Sequence, residues 1–136
     1  MSSPSQDALI AAARSARMHA YAPYSGFRVG AALRSASGVI YTGCNIENAS
    51  YGATVCAERV AIASMVANGD SQWTHLAVFT DVDPPVNPCG LCLQVLVEFA
   101  ADGEIFLAGP SNVTSSTLHA LLPSPFAFDS ARGSSP

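Results

Sequence analysis

The chain has 136 residues, of which 49% are hydrophobic and only 12% are charged, and its formal net charge is −4. This composition excludes a disordered protein, because there is ample apolar side chain to form a core, and the acidic balance argues against nucleic acid as a partner. The sequence contains no lysine, which excludes a Schiff-base lysine, a pyridoxal-phosphate anchor and the lysine of a phosphate-binding P-loop.

The first half of the chain predicts a helix followed by a hairpin. An alanine-rich segment predicts a helix from Ser5, as its N-cap, to Tyr21, and Pro23 ends it. After an irregular loop, the sequence predicts two short strands around Ser37-Gly38, at Val29–Leu33 and Val39–Tyr41.

The second half alternates helices and strands. The predicted elements are a helix from about Cys56 to Asn68, a strand buried on both faces at Leu76–Thr80, a helix at Leu91–Ala100, a strand at Glu104–Ala108 and a short helix at Ser116–Leu122. This order predicts an α/β fold with a mixed β-sheet of about five strands flanked by helices.

The length predicts one domain, which we expect over residues 1–129, with a frayed tail over 130–136. Because so small a domain has little room to hide this much apolar side chain, we expect other subunits to cover part of its surface. The opening residues lack a basic leader region and no apolar run reaches the length of a membrane span. The expectation is a soluble, cytoplasmic protein whose four cysteines serve metal binding or catalysis.

Two short cysteine motifs lie at predicted helix starts. Cys56 opens Cys-Ala-Glu, and 33 residues later Cys89 and Cys92 enclose Gly-Leu. Unpaired amides and the helix dipole at a helix start stabilise thiolates, which are the form that binds metal. Three thiolates leave one position of a tetrahedral zinc open, as in catalytic sites. The pattern therefore indicates a catalytic Zn²⁺ site with water in the open position.

Two charged residues follow Cys56 closely. Glu58 would lie near the metal without needing to bind it, which suits a carboxylate that moves protons between water and substrate. Arg59 is one turn from Cys56 and could donate hydrogen bonds to the thiolates, whose charge exceeds that of the zinc. An ordinary solvated arginine is the alternative for Arg59.

Two other classes of protein fit parts of this pattern. Taken alone, the Cys-Gly-Leu-Cys pair could be a thioredoxin-like redox motif, but that leaves the motif at Cys56 unexplained. A structural zinc site would need a fourth protein ligand, for which Cys44 is the spare thiol. Cys44 fits better as a small buried residue at a strand end.

Together with Gly43–Gly52, Tyr21–Leu33 and Leu121–Phe126, the cysteine motifs resemble those of the short, tetrameric cytidine deaminases. The resemblance covers most of the chain, with these motifs in the same order. It implies Zn²⁺-dependent hydrolysis of cytidine and 2′-deoxycytidine to the uridines and ammonia, in pyrimidine salvage. It also implies a homotetramer whose subunits share their pockets.

The resemblance further implies roles for individual residues. Zinc would be bound by Cys56, Cys89 and Cys92, and protons would be moved by Glu58. The nucleoside would be contacted by Phe27 at the base, Asn45 and Glu47 at the ribose 3′-hydroxyl, the Ala57 amide at O2 and the Asn87 carbonyl at the exocyclic amine. Neighbouring subunits would contribute Ala49, Tyr51 and Phe126, with Phe128 as a competitor of Phe126.

The sequence departs from the family pattern at Leu93, where arginine is usual. The departure removes a positive charge from the neighbourhood of the thiolates and leaves more of the compensation to Arg59. A deaminase that edits nucleic acid is the runner-up enzyme. The acidic net charge of the chain disfavours this alternative. Contacts of Asn45 and Glu47 with the ribose would also hinder binding of a nucleotide whose 3′ position is linked to a phosphate.

Overall fold

The computed structural model describes residues 3–100 and 102–128, which form both helices and strands. The elements, with a 3₁₀ turn at Tyr51–Ala53, are α1 Pro4–Arg17, β1 Gly30–Ser35, β2 Ile40–Cys44, α2 Ala57–Ala67, β3 Trp73–Phe79, α3 Gly90–Glu98, β4 Glu104–Ala108, β5 Val113–Thr117 and α4 Leu118–Leu121. No helix within these residues is long and apolar enough to cross a membrane. The predicted tail over 130–136 lies outside the described residues.

The strands form one sheet in the order β2-β1-β3-β4-β5. β1 is antiparallel to β2 and to β3, β3 is parallel to β4, and β5 is antiparallel to β4. The parallel pair is connected through α3, as a crossover between parallel strands requires. The predicted α/β fold with a mixed five-stranded sheet is confirmed.

The two faces of the sheet pack against different helices, because successive side chains of a strand point to opposite sides. Ala32, Ala77 and Phe106 lie in the apolar cluster that includes α1. Leu33 and Leu76 lie in the larger cluster that includes α2 and α3. The central strands are therefore covered on both faces, as predicted for the strand around Leu76.

Glycines allow both long helices to lie directly on the backbone of the sheet. A Cβ atom at Gly43, in β2, would lie 2.5 Å from the backbone nitrogen of Ala61 in α2, and nearer still to the carbonyl oxygen of Ala57. A Cβ atom at Gly30, in β1, would lie 2.5 Å from the backbone nitrogen of Arg17. The first turns of α2 thus lie at a fixed distance from β2.

Asp70, just beyond α2, connects that helix to the hairpin of β1 and β2. Its carboxylate accepts hydrogen bonds from the Tyr41 hydroxyl at 2.7 Å and from the Ser37 hydroxyl at 3.0 Å. The hydrogen bond from Tyr41, followed by that from Ser37, lowers the pKa of Asp70 below its ordinary value. The ionised carboxylate is therefore part of the folded arrangement.

The predicted first helix is wrong at both ends. Ser3, not Ser5, is the N-cap, and its hydroxyl accepts a hydrogen bond from the Gln6 amide at 3.1 Å. Pro4 then occupies a first-turn position, where its missing N–H costs nothing. The helix ends at Arg17 rather than Tyr21, because the backbone of Tyr21 is hydrogen-bonded to the segment after β2.

The predicted short helix Ser116–Leu122 is also wrong at its start, because this segment begins as the end of strand β5. The change occurs at Thr117, whose hydroxyl caps α4 by accepting a hydrogen bond from the Ala120 amide at 3.1 Å. β5 is an edge strand, mostly exposed and made of polar residues after Val113, so it lacks the apolar alternation that identifies strands.

Candidate active site and metal centre

Three thiols meet where α2 and α3 begin. Cys56 is the N-cap of α2, Cys89 is the N-cap of α3, and Cys92 lies buried in the first turn of α3. Their Sγ atoms all lie within 4.8 Å of one another. Neither N-cap thiol accepts a capping hydrogen bond from its own helix. The predicted helix starts thus bring the three cysteines together with their sulfurs available to a common ligand.

The electrostatics of this thiol cluster favour a cation. The Arg59 side chain donates a hydrogen bond from Nη2 to Cys56 Sγ at 3.6 Å. A hydrogen bond from Cys92, aided by Arg59, lowers the pKa of Cys56 to about 5. The neighbouring Cys56 sulfur and burial raise the pKa of Cys92. Two adjacent thiols therefore resist ionising together, and a divalent metal ion would remove that conflict.

The cluster fits zinc with one open position. Sulfur is a preferred zinc ligand, and three protein ligands leave a fourth position for water or substrate. Within residues 3–100 and 102–128, the group of potential ligands consists of these three thiols and does not include Cys44, which ends β2 half-buried. The fourth protein ligand required by the structural-zinc alternative is thus not found at Cys44.

A cavity of about 270 Å³ opens beside the thiols and is close to the lower end of the range for small-molecule sites. Glu58, in the first turn of α2, lines it and is 5% exposed. Burial is the main cause that raises the pKa of Glu58 to about 7, and the charge of Cys56 adds to it. A carboxyl group with such a pKa can both accept and release a proton near neutral pH.

The cavity contains most of the predicted site residues of one subunit. Within residues 3–100 and 102–128, its walls include neither arginine nor lysine. Members of the predicted set that line it are Phe27, Asn45, Glu47, Cys56, Ala57, Glu58, Asn87 and Cys89.

Asn45 supports the loop that carries Phe27. Its Nδ2 donates a hydrogen bond to the Phe27 carbonyl oxygen at 2.7 Å, and its Oδ1 accepts one from the Val29 amide at 2.9 Å. The side chain is buried, with 8% of the residue exposed. An amide has a second N–H and further lone pairs, so a contact to ligand would use those.

Glu47 is fixed by the same loop from the other side. Its Oε1 accepts hydrogen bonds from the backbone amides of Tyr24 at 2.9 Å and Ser25 at 3.1 Å. Its Oε2 accepts one from the Ser25 hydroxyl. These donors, the Ser25 hydroxyl first, lower the pKa of Glu47. The carboxylate at the cavity wall is therefore stabilised in its charged form.

Sequence reasoning missed Ser25 as a site residue. Its hydroxyl oxygen also accepts a hydrogen bond from the Phe27 amide, two residues on, at 3.0 Å. A serine two residues before a functional side chain in a loop is the signal for such a turn. Ser25 is exposed and lines the cavity.

The three residues predicted to act on a neighbouring subunit lie outside this cavity. Ala49 is exposed, and the exposed fractions of Tyr51 and Phe126 are 80% and 70%. Gln94 of α3 holds the backbone of Phe126 through two hydrogen bonds. Gln94 Nε2 donates to the Phe126 carbonyl oxygen at 2.9 Å, and the Phe126 amide donates to Gln94 Oε1 at 3.2 Å. An exposed aromatic side chain is thus presented on a fixed backbone.

A second cavity of about 390 Å³ adjoins the first. The two share Ser25, Glu47 and Thr54, and the second is bounded further by Tyr24 and Tyr51. The rings of these two tyrosines pack edge to face, with centroids 6.4 Å apart. The rim of the site is therefore aromatic and exposed.

Leu93 and Trp73 belong to the core. Leu93 is 7% exposed and packs in the apolar cluster that includes α2 and α3. Arg59 is thus the arginine that reaches the thiols in the described part of the chain. Trp73 is 2% exposed, and its Nε1 donates a hydrogen bond to the Leu96 carbonyl oxygen at 2.9 Å.

Comparisons with known proteins agree with this geometry. A model of the cytidine and deoxycytidylate deaminase zinc-binding region matches residues 3–108. A cytidine deaminase of Sporosarcina psychrophila is 45% identical over 120 residues, which cover 87% of this chain and 88% of that protein. The crystal structure of cytidine deaminase from Burkholderia pseudomallei has a TM-score of 0.85 and 44% identity, covering 88% of this chain and 98% of the other. That of Mycobacterium tuberculosis has a TM-score of 0.78 and 36% identity, covering 89% and 96%.

Proposed function

Because this chain belongs to the cytidine and deoxycytidylate deaminase family, we propose that it hydrolyses cytidine and 2′-deoxycytidine to the corresponding uridines and ammonia. The observation that carries the proposal is the meeting of three thiols and the buried Glu58 carboxyl at one cavity. A nucleoside, rather than a nucleotide, fits walls that offer no arginine or lysine to a phosphate group among the residues that the structure describes.

Cys56, Cys89 and Cys92 would hold zinc, because their sulfurs converge and two of them cannot easily ionise together without a cation. When bound, zinc supplies a nucleophile at neutral pH by lowering the pKa of water. Arg59 offsets thiolate charge through its hydrogen bond to Cys56.

Glu58 moves the protons of the reaction. The oxygen of water adds to C4 of the base, and the Glu58 carboxylate accepts the proton that the water loses. The carboxylic acid then gives this proton to N3. The carboxylate next takes the proton of the hydroxyl now on C4 and passes it to the amine, so that the C4–N bond breaks, ammonia leaves and C4 becomes a carbonyl. Burial beside the cavity keeps Glu58 from exchanging its proton freely with bulk water.

The nucleoside is oriented by groups on the cavity wall. Phe27 packs against the pyrimidine, whose flat face suits an aromatic ring. The Ala57 amide donates to O2 and the Asn87 carbonyl accepts from the exocyclic amine. Asn45 and Glu47 bind the ribose 3′-hydroxyl, and the fixed charge of Glu47 disfavours a 3′-phosphate, and thus a nucleic acid strand, at this position.

The pocket is completed by other copies of the chain in a homotetramer. Ala49, Tyr51 and Phe126 would act on a neighbouring subunit, since each is exposed and none lines the cavity beside the thiols of its own chain. Phe126 suits this role because Gln94 fixes its backbone from both sides. We also propose that the enzyme is cytoplasmic. Its four cysteines form no disulfide and would stay reduced there. Its reaction would serve the salvage of pyrimidine nucleosides.

The substitution Glu58→Gln tests the mechanism. It should keep about one zinc per chain, because zinc binding needs only the three thiolates, while deamination falls by about 10³-fold or more. The measurements are metal analysis and ultraviolet absorbance during cytidine turnover. Cys89→Ala is the matched variant and should lose both zinc and activity. Near-normal turnover in Glu58→Gln, or full zinc in Cys89→Ala, would overturn the assignment.

A further inference from the structure

One hydroxyl group, that of Ser25, connects the two sides of the nucleoside cavity. It donates its proton to Oε2 of Glu47, and its oxygen accepts the Phe27 amide proton at 3.0 Å. Glu47 is the carboxylate at the proposed sugar end of the cavity, and Phe27 is the aromatic ring at the proposed base end. A hydroxyl group has one proton and two lone pairs, so both bonds can form together.

The Ser25 hydroxyl fixes the orientation of the Glu47 carboxylate. The backbone amides of Tyr24 and Ser25 both bind Oε1, at 2.9 Å and 3.1 Å. Among the described residues, the hydrogen bond to Oε2 comes from the Ser25 hydroxyl. Without it, a carboxylate held at one oxygen can rotate about that contact, and its second oxygen is no longer directed by the loop.

The same hydroxyl also fixes the loop at Phe27. The Phe27 amide donates to Ser25 Oγ, while its carbonyl oxygen accepts from Asn45. Phe27 is 39% exposed, so its ring is not held in place by burial in a core. The backbone hydrogen bonds therefore determine where this ring lies at the cavity wall.

We propose that Ser25 is a positioning residue for the nucleoside, which directs the Glu47 carboxylate to the sugar 3′-hydroxyl and the Phe27 ring to the base through one hydroxyl group. This inference depends on the proposed deaminase function. The inference also predicts selectivity for the sugar. Most of the effect of Ser25 on KM would pass through Glu47, and it would therefore require a 3′-hydroxyl on the substrate.

Ser25→Ala should raise the KM for 2′-deoxycytidine by about tenfold, the size expected for losing a hydrogen bond to a charged group, and leave kcat within about twofold. Ser25→Thr, which retains the hydroxyl, should return KM toward the wild-type value. The matched control is Ser71→Ala, at an exposed serine that lines neither cavity, and it should change neither constant. Zinc content should be the same in all variants, because the proposed zinc ligands are the thiols of Cys56, Cys89 and Cys92.

The substrate 2′,3′-dideoxycytidine separates positioning from a general loss of structure. Because it lacks the 3′-hydroxyl, Ser25→Ala should raise its KM by clearly less than for 2′-deoxycytidine. In a double-mutant cycle with Glu47→Gln, the two changes together should raise KM by less than the product of their separate effects. Equal effects on both substrates, or a multiplicative cycle, would overturn the inference.

The failure of the inference is distinguishable from failure of the proposed function. If the wild-type protein does not deaminate nucleosides, the proposed function is wrong. If Glu47→Gln raises KM but Ser25→Ala does not, the function stands and the role of Ser25 is wrong.

Discussion

Replacing Gly43 by alanine should disturb the candidate active site by displacing α2. The added Cβ would lie 2.5 Å from the backbone nitrogen of Ala61, whereas ordinary contact begins at 3.4 Å, so α2 and β2 must separate by about 0.9 Å. The other close atoms are the Ala57 carbonyl oxygen and Val60 Cβ at 3.0 Å, so no side-chain rotation can relieve the contact. The first turn of α2, with Cys56 and Glu58, must therefore move relative to Cys89 and Cys92 at the start of α3.

The expected cost has two parts. Overpacking of this kind lowers the free energy of unfolding by about 1–3 kcal/mol. A displacement approaching 1 Å in a group that transfers protons can reduce kcat by about 100-fold. The measurements are urea unfolding and kcat for cytidine, with zinc analysis of the same samples.

Gly90→Ala is the matched control. Gly90 begins α3, next to Cys89, and a Cβ there meets no atom within 4 Å. Gly90→Ala should leave stability and kcat near the wild-type values. Such a result would show that closeness to the thiols alone does not cause the losses expected in Gly43→Ala. Wild-type kcat and stability in Gly43→Ala would refute the argument that this glycine sets the position of α2.

Two further predictions concern the assembly and the pH dependence of stability. Glu58→Gln and Phe126→Ala chains should each be weakly active alone. Mixtures shown to have exchanged subunits should regain part of the activity, since some pockets then combine an intact Glu58 with a neighbour's intact Phe126. No recovery in such mixtures would contradict a shared pocket. Because the folded pKa of Asp70 is lowered, the stability it contributes is present above the ordinary aspartate pKa of about 4 and is lost as pH falls through the lowered value. Calorimetry from about pH 3 to 6 should therefore show the difference in Tm between wild type and Tyr41→Phe shrinking toward acid, and a constant difference would count against it.

The thiol cluster could be predicted from sequence because its signals are local. Cys56 and Cys89 lie where capping and helix propensity place helix starts, and the fold brings both starts to one point. The prediction that Glu58 lies beside the thiols rested on its distance of two residues from Cys56, and its part in proton transfer stays a proposal.

Contacts between distant segments could not be predicted in the same way. The amide of Asn45 is occupied by the backbone of a loop that lies 16 and 18 residues earlier, which no local pattern indicates. The Gln94 bridge to Phe126 spans 32 residues. β5 was missed because a polar edge strand buries little, so tertiary pairing with β4, rather than its own residues, makes it a strand.

The position of α1 has a practical consequence for handling the protein. This helix lies on the face of the sheet opposite α2 and α3, so its solvent side points away from the thiols and the cavity. Ser15 is exposed on it, and the sequence contains no lysine. Ser15→Lys would therefore give each chain a single side-chain amine, through which amine-reactive chemistry could attach a dye or a solid support with the nucleoside cavity facing outward.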